Sequence, residues 1–167
     1  MNSIFDSYQK QIDQRLEEMI ALASGRSEEE MRWKPSEDSW SVQEVLSHVE
    51  EAIPYWLQEV QNVAAGRSGE WGRTLQDTSR LAAVARAKDL STAFLLEKVA
   101  DIKKTARQLF QSIEAKDLEI EAASRNPKFG TKPLTFIMDH FVVEHLDTHN
   151  KQIQRIWNQR GSSSFLS

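Results

Sequence analysis

The stretch DHFVVEHLDTHNKQIQRI, residues 139–156, decides the fold and holds three of the four histidines. With a helical turn of about 100° per residue, the apolar stripe centres at roughly 40° from Leu134, and His145 and His149 lie at roughly 20° and roughly 60°. His140 falls at roughly 240°, on the other side. The pattern therefore predicts an amphipathic helix with two inward histidines and one outward histidine. The apolar positions behind this prediction are Leu134, Ile137, Met138, Phe141, Val142, Leu146, Ile153 and Ile156.

Two readings of the inward pair are open from its spacing. Histidines four residues apart on one helix face stand one above the other, so His145 and His149 could hold one metal ion together. A histidine on an apolar face is also commonly a core residue that is satisfied by one hydrogen bond. The presence of a third ligand elsewhere in the chain decides between the two.

Composition describes an ordinary globular chain and excludes several classes of protein. The 167 residues suit one domain, which we place at residues 1–160, followed by a flexible C-terminal tail at 161–167. A net charge of −4 gives no basic excess for nucleic acid. Cysteine is absent, which excludes disulfides and thiolate ligands. We read no signal peptide and no bilayer-spanning run, so we expect a cytoplasmic protein that does not contact a membrane.

Working outward from the histidine stretch, three more long amphipathic helices are predicted. No strand or hairpin pattern is evident, so the predicted fold is all-α: a four-helix bundle with long crossover connections. The segment from Gly66 to Lys88 is irregular, with a short helix expected at 79–87. The predicted long helices are residues 3–23, a second that begins after Ser41 and ends at Gly66, residues 90–113, and residues 133–159.

The second helix has the best-marked start and carries the fourth histidine. Ser41 and Glu44 form the S-x-x-E capping box, so the helix begins directly after Ser41. His48 then lies roughly 120° from the centre of the apolar stripe, on a flank of the helix. This position permits a surface histidine, and it also permits one that faces inward between two neighbouring helices.

The segments WSVQEVLSHVEEA (40–52) and EHLDTHNKQI (144–153) together resemble the DinB/YfiT-like superfamily. Its members carry W-S-x-x-[DE]-x-L-x-H on the second helix and H-x-x-x-H-x-x-Q-I on the fourth, and this chain matches both. The resemblance implies a DinB-like four-helix bundle that holds a divalent metal, zinc or nickel, through His48, His145 and His149. It departs from many relatives at Phe141, where they carry another histidine. His140 is one residue out of register and is left out of the site.

The resemblance also implies the chemistry. Related proteins include S-transferases that use a low-molecular-weight thiol and metal-dependent hydrolases, so a small-molecule substrate and such a thiol are expected, and a homodimer is allowed. Three neutral imidazoles leave the metal an open position, where a water can reach a pKa of about 7. The alternative is a non-catalytic bundle in which the metal is structural or the chain serves dimerisation. No catalytic base is assigned.

Three further residues are candidates to contact the metal ligands and orient them. Gln152 lies at roughly 0°, on the inward face one turn beyond His149. Tyr55 lies two turns beyond His48 and could line the mouth of the site. Glu144 is adjacent to His145 but lies away from the centre of the apolar stripe. A glutamine in a helix contact and charged residues in solvent are the ordinary alternatives for such positions.

Overall fold

The computed structural model describes residues 3–166, with side chains described through residue 162. Four long helices form a bundle, which confirms the prediction of an all-α fold, and short helices lie in the connections. In chain order the helices are α1 (Ile4–Ala23), α2 (Glu28–Arg32), α3 (Val42–Ala64), α4 (Thr78–Ala85), α5 (Thr92–Ser112), α6 (Leu134–Phe136) and α7 (Glu144–Leu166). Short 3-10 helices span Arg86–Asp89 and Ala115–Glu119.

The last long helix has three parts. Between α6 and α7 the chain forms a π-helical segment, Ile137–Val143, in which the Glu144 N–H bonds to the carbonyl of Asp139, five residues earlier. The helix continues to Leu166, past the predicted end at 159. Ser167 and the side chains of 163–166 lie outside the described residues, so the flexible tail at 161–167 stays a prediction.

Serine caps set the start of each of the first three long helices. Ser3, Ser41 and Ser91 each accept a hydrogen bond from the backbone N–H three residues later. The Ser41 cap is reciprocal, because the Glu44 carboxylate accepts the Ser41 N–H at 2.9 Å. The predicted capping box is therefore present, and it fixes the turn of α3 on which His48 stands.

Hydrogen bonds between helix ends show that α3 and α5 run in the same direction. The Gln43 side chain near the start of α3 donates to the carbonyl of Leu90, just before α5. At the other ends, Gln61 donates to the Ser112 hydroxyl at 3.1 Å. Two consecutive long helices that run parallel need a crossover between them, as predicted.

The first and last long helices form the second parallel pair. Tyr8 donates to Asp139 near their starts, and Trp157 donates to the carbonyl of Leu22 near their ends. The two pairs run antiparallel to each other. His48 precedes Trp56 on α3, but their partners on the last helix come in the reverse order, because His48 contacts His145 and Trp56 stacks on Phe141. The last helix therefore packs antiparallel against α3, and the histidine contact lies in the interface between them.

The core fills the space between the four helices and extends under the connections. The largest side chains with almost no exposed surface are Trp71, Ile12, Leu16, Met19, Met31, Leu46, Ile53, Leu57, Leu95, Ile102, Leu118 and Leu134.

No helix among the described residues combines the length and the apolar character that a bilayer crossing would require.

A small three-stranded sheet joins the two longest connections and is absent from the sequence prediction. Strand β1 (Glu70–Trp71) pairs in parallel with β2 (Glu121–Ser124), which pairs antiparallel with β3 (Thr131–Pro133). Strands of two to four residues are too short to show alternation in the sequence. The sheet fixes the paths of two connections that border the site.

Buried Glu59 on α3 attaches this sheet to the bundle. Its Oε1 accepts the Gly72 N–H at 2.9 Å and the Arg125 guanidinium at 2.7 Å. Gly72 has a φ of 91°, and a Cβ there would lie 3.2 Å from Oγ of Ser124 in β2. Glycine therefore allows both the positive φ and the close approach to β2.

Candidate metal centre

Three histidines meet between α3 and the last helix. His48 comes from the second turn of α3, and His145 and His149 come from successive turns of α7. His48 and His149 are buried, and His145 is partly buried. The flank position of His48 faces inward because α3 contacts both α5 and the last helix.

The imidazoles are close enough to share one ion. The Nε2 atoms of His48 and His145 are 3.2 Å apart, and one nitrogen from each of the three rings lies within 4.8 Å of the others. Ring centroids are separated by 4.6 Å for His145–His149, 4.9 Å for His48–His149 and 5.2 Å for His48–His145. No other group of three such residues is found in the part of the chain that the structure describes.

Hydrogen bonds on the far side of two rings fix their tautomers. His145 Nδ1 donates to the carbonyl of Phe141 at 3.1 Å, and His149 Nδ1 donates to Oε1 of Gln152 at 2.8 Å. The proton on Nδ1 leaves Nε2 as a lone-pair donor facing the cluster. His48 Nδ1 is buried and has no hydrogen-bond partner among the described residues.

All three rings are held in the neutral form. Burial, and then the neighbouring His149 and His145, lower the pKa of His48 to about 2. Burial, and then His149, lower the pKa of His145 to about 3. Burial also lowers the pKa of His149, against the opposing effect of its bond to Gln152. Neutral imidazole is the form that ligates a metal.

The donor set fits a divalent transition metal. Two nitrogens bound to zinc at about 2.0–2.1 Å and at a tetrahedral angle lie about 3.3–3.4 Å apart, close to the observed His48–His145 separation. Three buried neutral imidazoles, two of them oriented by acceptors behind them, form the arrangement seen in catalytic zinc sites. Histidine nitrogen also suits nickel, copper and iron.

A cavity of about 460 Å³ opens from the three histidines. Its apolar wall includes Trp56 and Phe141, which stack with ring centroids 4.0 Å apart. Trp40 covers the histidines beside the cavity, with its ring 5.1 Å from that of His48 and 6.3 Å from that of His149. A second cavity, of about 430 Å³, lies against Trp40, His149 and Gln152.

The structure separates the three residues proposed to orient the ligands. Gln152 contacts His149 directly. Tyr55 donates to Glu59 at 3.0 Å and therefore belongs to the network that attaches the sheet. It is not among the described residues that line the cavity. Glu144 lines the cavity and accepts from His140 at 3.1 Å instead of contacting a histidine of the cluster.

His140 has 46% of its side chain exposed, and it borders the same cavity as the histidine pair instead of lying on the opposite side of the helix. Phe141, which takes the place of a further histidine, contributes its ring to the wall and its carbonyl to His145. The π-helical segment brings both residues to this side. Such segments recur at functional sites, and the apolar spacing gave no sign of this one.

Arg73, Arg80, Lys128 and Phe129 also line the cavity, and sequence reasoning did not find them. They come from connections whose paths are set by the sheet and by α4. Local sequence carries no signal of that arrangement, because the residues converge through tertiary contacts. Trp40, which the sequence places just before the start of α3, packs against the ring of His48 and covers the cluster.

The fold and the cluster define a four-helix-bundle protein with a three-histidine centre of the metal-binding type. The sequence profile of the DinB superfamily matches residues 11–153. This chain belongs to the DinB superfamily, which confirms the resemblance.

Comparisons with individual proteins agree on the fold. A comparison with curated proteins finds no match. Among solved structures, the chain is similar to one described as "YfiT from Bacillus subtilis is a probable metal-dependent hydrolase with an unusual four-helix bundle topology". The TM-score is 0.77 at 11% sequence identity, over 96% of this chain and 91% of the other. At that identity the likeness shows the shared fold.

Proposed function

We propose that the three-histidine centre holds a divalent metal, zinc or nickel, and that the protein is a metal-dependent enzyme for a small-molecule substrate. The reaction is either hydrolysis of that substrate or transfer of a low-molecular-weight thiol to an electrophilic carbon. In the transfer, a carbon–sulfur bond forms while the leaving group departs with its bonding electrons and the thiol proton passes to solvent.

The observation that carries the proposal is the cluster of three neutral histidines at the inner end of a cavity. A bound divalent ion there would supply Lewis-acid chemistry, lowering the pKa of a water or of a thiol. The description of the similar YfiT structure as a probable metal-dependent hydrolase supports one branch of the proposal.

The chain's own residues would orient ligands and exclude water. The Phe141 carbonyl and the Gln152 amide oxygen fix the ring orientations of His145 and His149. Trp40 covers the cluster, and Trp56 with Phe141 forms an apolar wall. Electrostatic interactions are stronger beside such a wall than in water, which favours chemistry at the centre.

Elemental analysis of untagged protein tests the metal site. We expect a divalent ion in the wild type and in His140→Ala, and a loss of that ion in His145→Ala. His140 is a matched control because it borders the same cavity and lies outside the cluster. A metal content unchanged by His145→Ala would contradict the proposal. Assays with thiol–electrophile pairs and with small esters and amides then separate transfer from hydrolysis.

A non-catalytic metal-binding bundle, structural or for dimerisation, is the second candidate. Glu144 is the only carboxylate among the described residues that line the cavity, and it is exposed and paired with His140. Within the described lining, therefore, no buried carboxylate is available as a general base. Loss of the fold on chelation, together with inactivity in every assay, would favour this candidate.

The proposed setting follows the sequence. We place the protein in the cytoplasm, which fits a chain without cysteine. Nucleic acid is not among the proposed partners, because the net charge is −4. A homodimer remains a prediction from the family, and the molar mass in solution tests it.

A further inference from the structure

The cavity above the three histidines has an uneven distribution of charge. Three cationic side chains and one carboxylate line it: Arg73, Arg80, Lys128 and Glu144. The carboxylate of Glu144 lies at the surface, with 66% of its side chain exposed, so solvent screens it. The cavity lining therefore carries more cationic side chains than carboxylates, even before a metal ion adds its charge.

The two arginines differ in how their charge is balanced. Arg73 forms a two-pronged ion pair with Glu51, at 2.6 and 2.8 Å, and also approaches Asp77 at 3.5 Å. Its guanidinium lies over the Tyr55 ring at 4.0 Å. Arg73 is thus neutralised and held in place, and its role in the wall is structural.

The Arg80 guanidinium forms no ion pair with a carboxylate among the described residues, since Asp77 accepts only the backbone N–H of Arg80. The one hydrogen bond of the guanidinium to another group there goes from Nη1 to the carbonyl of Leu75, at 3.2 Å. A guanidinium has five N–H donors, so most of its hydrogen-bonding capacity is open. The side chain is partly buried, 5.9 Å from the Trp40 ring that covers the histidines.

Arg80 lines the same cavity as the three histidines, so a ligand in that cavity can contact both. Burial and then the neighbouring Arg73 lower the pKa of Arg80, and the charge of Glu51 opposes them in part. A partly buried cation without a directly paired carboxylate is unfavourable, and an incoming anion would relieve that cost.

The remaining lining describes the rest of the ligand. Phe129, Phe141, Trp56 and Leu75 offer apolar and aromatic surface between the histidines and the rim. Lys128 is exposed near Phe129, with Nζ 5.6 Å from the ring centroid, and can attract an anion from solvent. A cavity of about 460 Å³ accommodates a small organic molecule.

We propose that Arg80 binds an oxyanion of the substrate, a carboxylate or a phosphate, and that the substrate carries this group on an apolar body. This inference rests on the proposed function, since it places the reactive end of the same molecule at the histidines. Arg80 is then a specificity-determining residue, and its planar fork matches a carboxylate or phosphate through two hydrogen bonds.

Calorimetric titration with matched probes tests the inference. The probes are 3-phenylpropionate, its uncharged counterpart 3-phenyl-1-propanol, and 2-phenylethyl phosphate, each added to metal-loaded and to metal-free protein. We expect the better of the two anions to bind about tenfold more tightly than the alcohol in both forms, as one charge-assisted hydrogen bond allows. The stronger anion identifies the group as carboxylate or phosphate.

Variants assign the preference to Arg80. In Arg80→Gln the anion and the alcohol should bind equally well to the metal-free protein, while Arg80→Lys keeps part of the preference. Arg86→Gln is the control: Arg86 follows α4, pairs with Glu50 at 2.8 Å and lies away from the cavity lining, so the preference should be unchanged. Melting temperatures confirm that each variant is folded.

Several results would overturn the inference. These are equal binding of anion and alcohol to the wild type, no binding of any probe up to its solubility limit, or a preference that survives Arg80→Gln. A preference seen only with metal bound would assign the anion to the metal. Failure of the metal site itself shows as absent metal, and the metal-free titrations then still decide the role of Arg80.

Discussion

Within the cluster the three histidines are not equivalent. His145 and His149 each have an acceptor behind Nδ1, whereas Nδ1 of His48 is buried without a partner among the described residues. The rings of α7 are therefore oriented before any ligand arrives, and His48 is oriented by packing against Trp40. Orientation by outer contacts raises the metal affinity of a histidine site.

Gln152 provides the clearest test of such orientation. Gln152→Leu removes the acceptor of the His149 Nδ1–H, so we expect metal affinity to fall by about 10–100-fold. Competition with a chromophoric chelator measures the change. Gln154→Leu, on the same helix and exposed, is the control and should leave affinity unchanged. Equal affinities in both variants would show that packing alone orients His149.

The depressed histidine pKa values predict how the stability of the metal-free protein depends on pH. The pKa of His48 is lowered to about 2 and that of His145 to about 3, so below about pH 6.5 the unfolded chain binds protons that the folded chain excludes. The free energy of unfolding is thus highest above about pH 6.5, and it should fall by up to about 2 kcal/mol per histidine between pH 7 and pH 5.

Urea denaturation across this range checks the histidine contribution. His48→Gln should reduce the slope of the free energy of unfolding against pH. The variant lacks a histidine that binds a proton in the unfolded chain and not in the folded chain. A slope identical in wild type and His48→Gln would contradict the assignment.

Sequence spacing predicted the inward pair because His145 and His149 both lie within α7, where the helix is regular. It could not place His48, since a flank position is compatible with core or surface. The family resemblance supplied that residue. Arg80 escaped prediction because nothing in its local sequence marks a side chain that lines the same cavity as the histidines.

At the scale of elements, the connections do as much as the helices to form the cavity. The β1–β2–β3 sheet joins the second and third connections, and buried Glu59 joins that sheet to α3. Trp71 strengthens the junction, because its indole N–H donates to the carbonyl of Ala122 at 2.8 Å. Strands this short depend on such tertiary bonds, so the helical pattern was predictable and the sheet was not.

Removal of the Glu59 carboxylate should loosen this junction. Glu59→Ala leaves the Gly72 N–H and the Tyr55 hydroxyl without their acceptor, so we expect a loss of about 1–3 kcal/mol in the free energy of unfolding. Urea denaturation measures the loss. Glu70→Ala, an exposed position in β1, is the control and should change stability by about 0.5 kcal/mol or less. Equal effects would mean that Glu59 is not the attachment.

For the molecule as a whole, the core extends far beyond the metal centre. The large buried side chains span all four long helices and the connections, and the histidines occupy one part of the interface between α3 and α7. Apolar burial on this scale dominates folding free energy. The bundle should therefore fold without metal, and metal should add stability by binding to the folded state.

Chelation checks this independence. On removal of the metal, we expect the far-ultraviolet circular dichroism of a helical protein to persist while the melting temperature falls. At a free metal concentration one hundred times the dissociation constant, bound metal contributes about 2.7 kcal/mol. His149→Ala should already melt at the lower temperature and not respond to chelator. Loss of the helical signal would instead identify a structural metal.

The π-helical segment has a consequence for how the chain can vary in length. An i→i+5 turn accommodates one residue more than an α-helical turn, so deletion of one residue within 137–143 would let the segment close into a regular α-helix while the flanking turns keep their faces. Leu134 would stay in the core and the histidine pair would stay at the centre, and only residues inside the segment would change the face they present. A difference of one residue in length among relatives should consequently be tolerated here, as it is in the polar connections before residues 41 and 78.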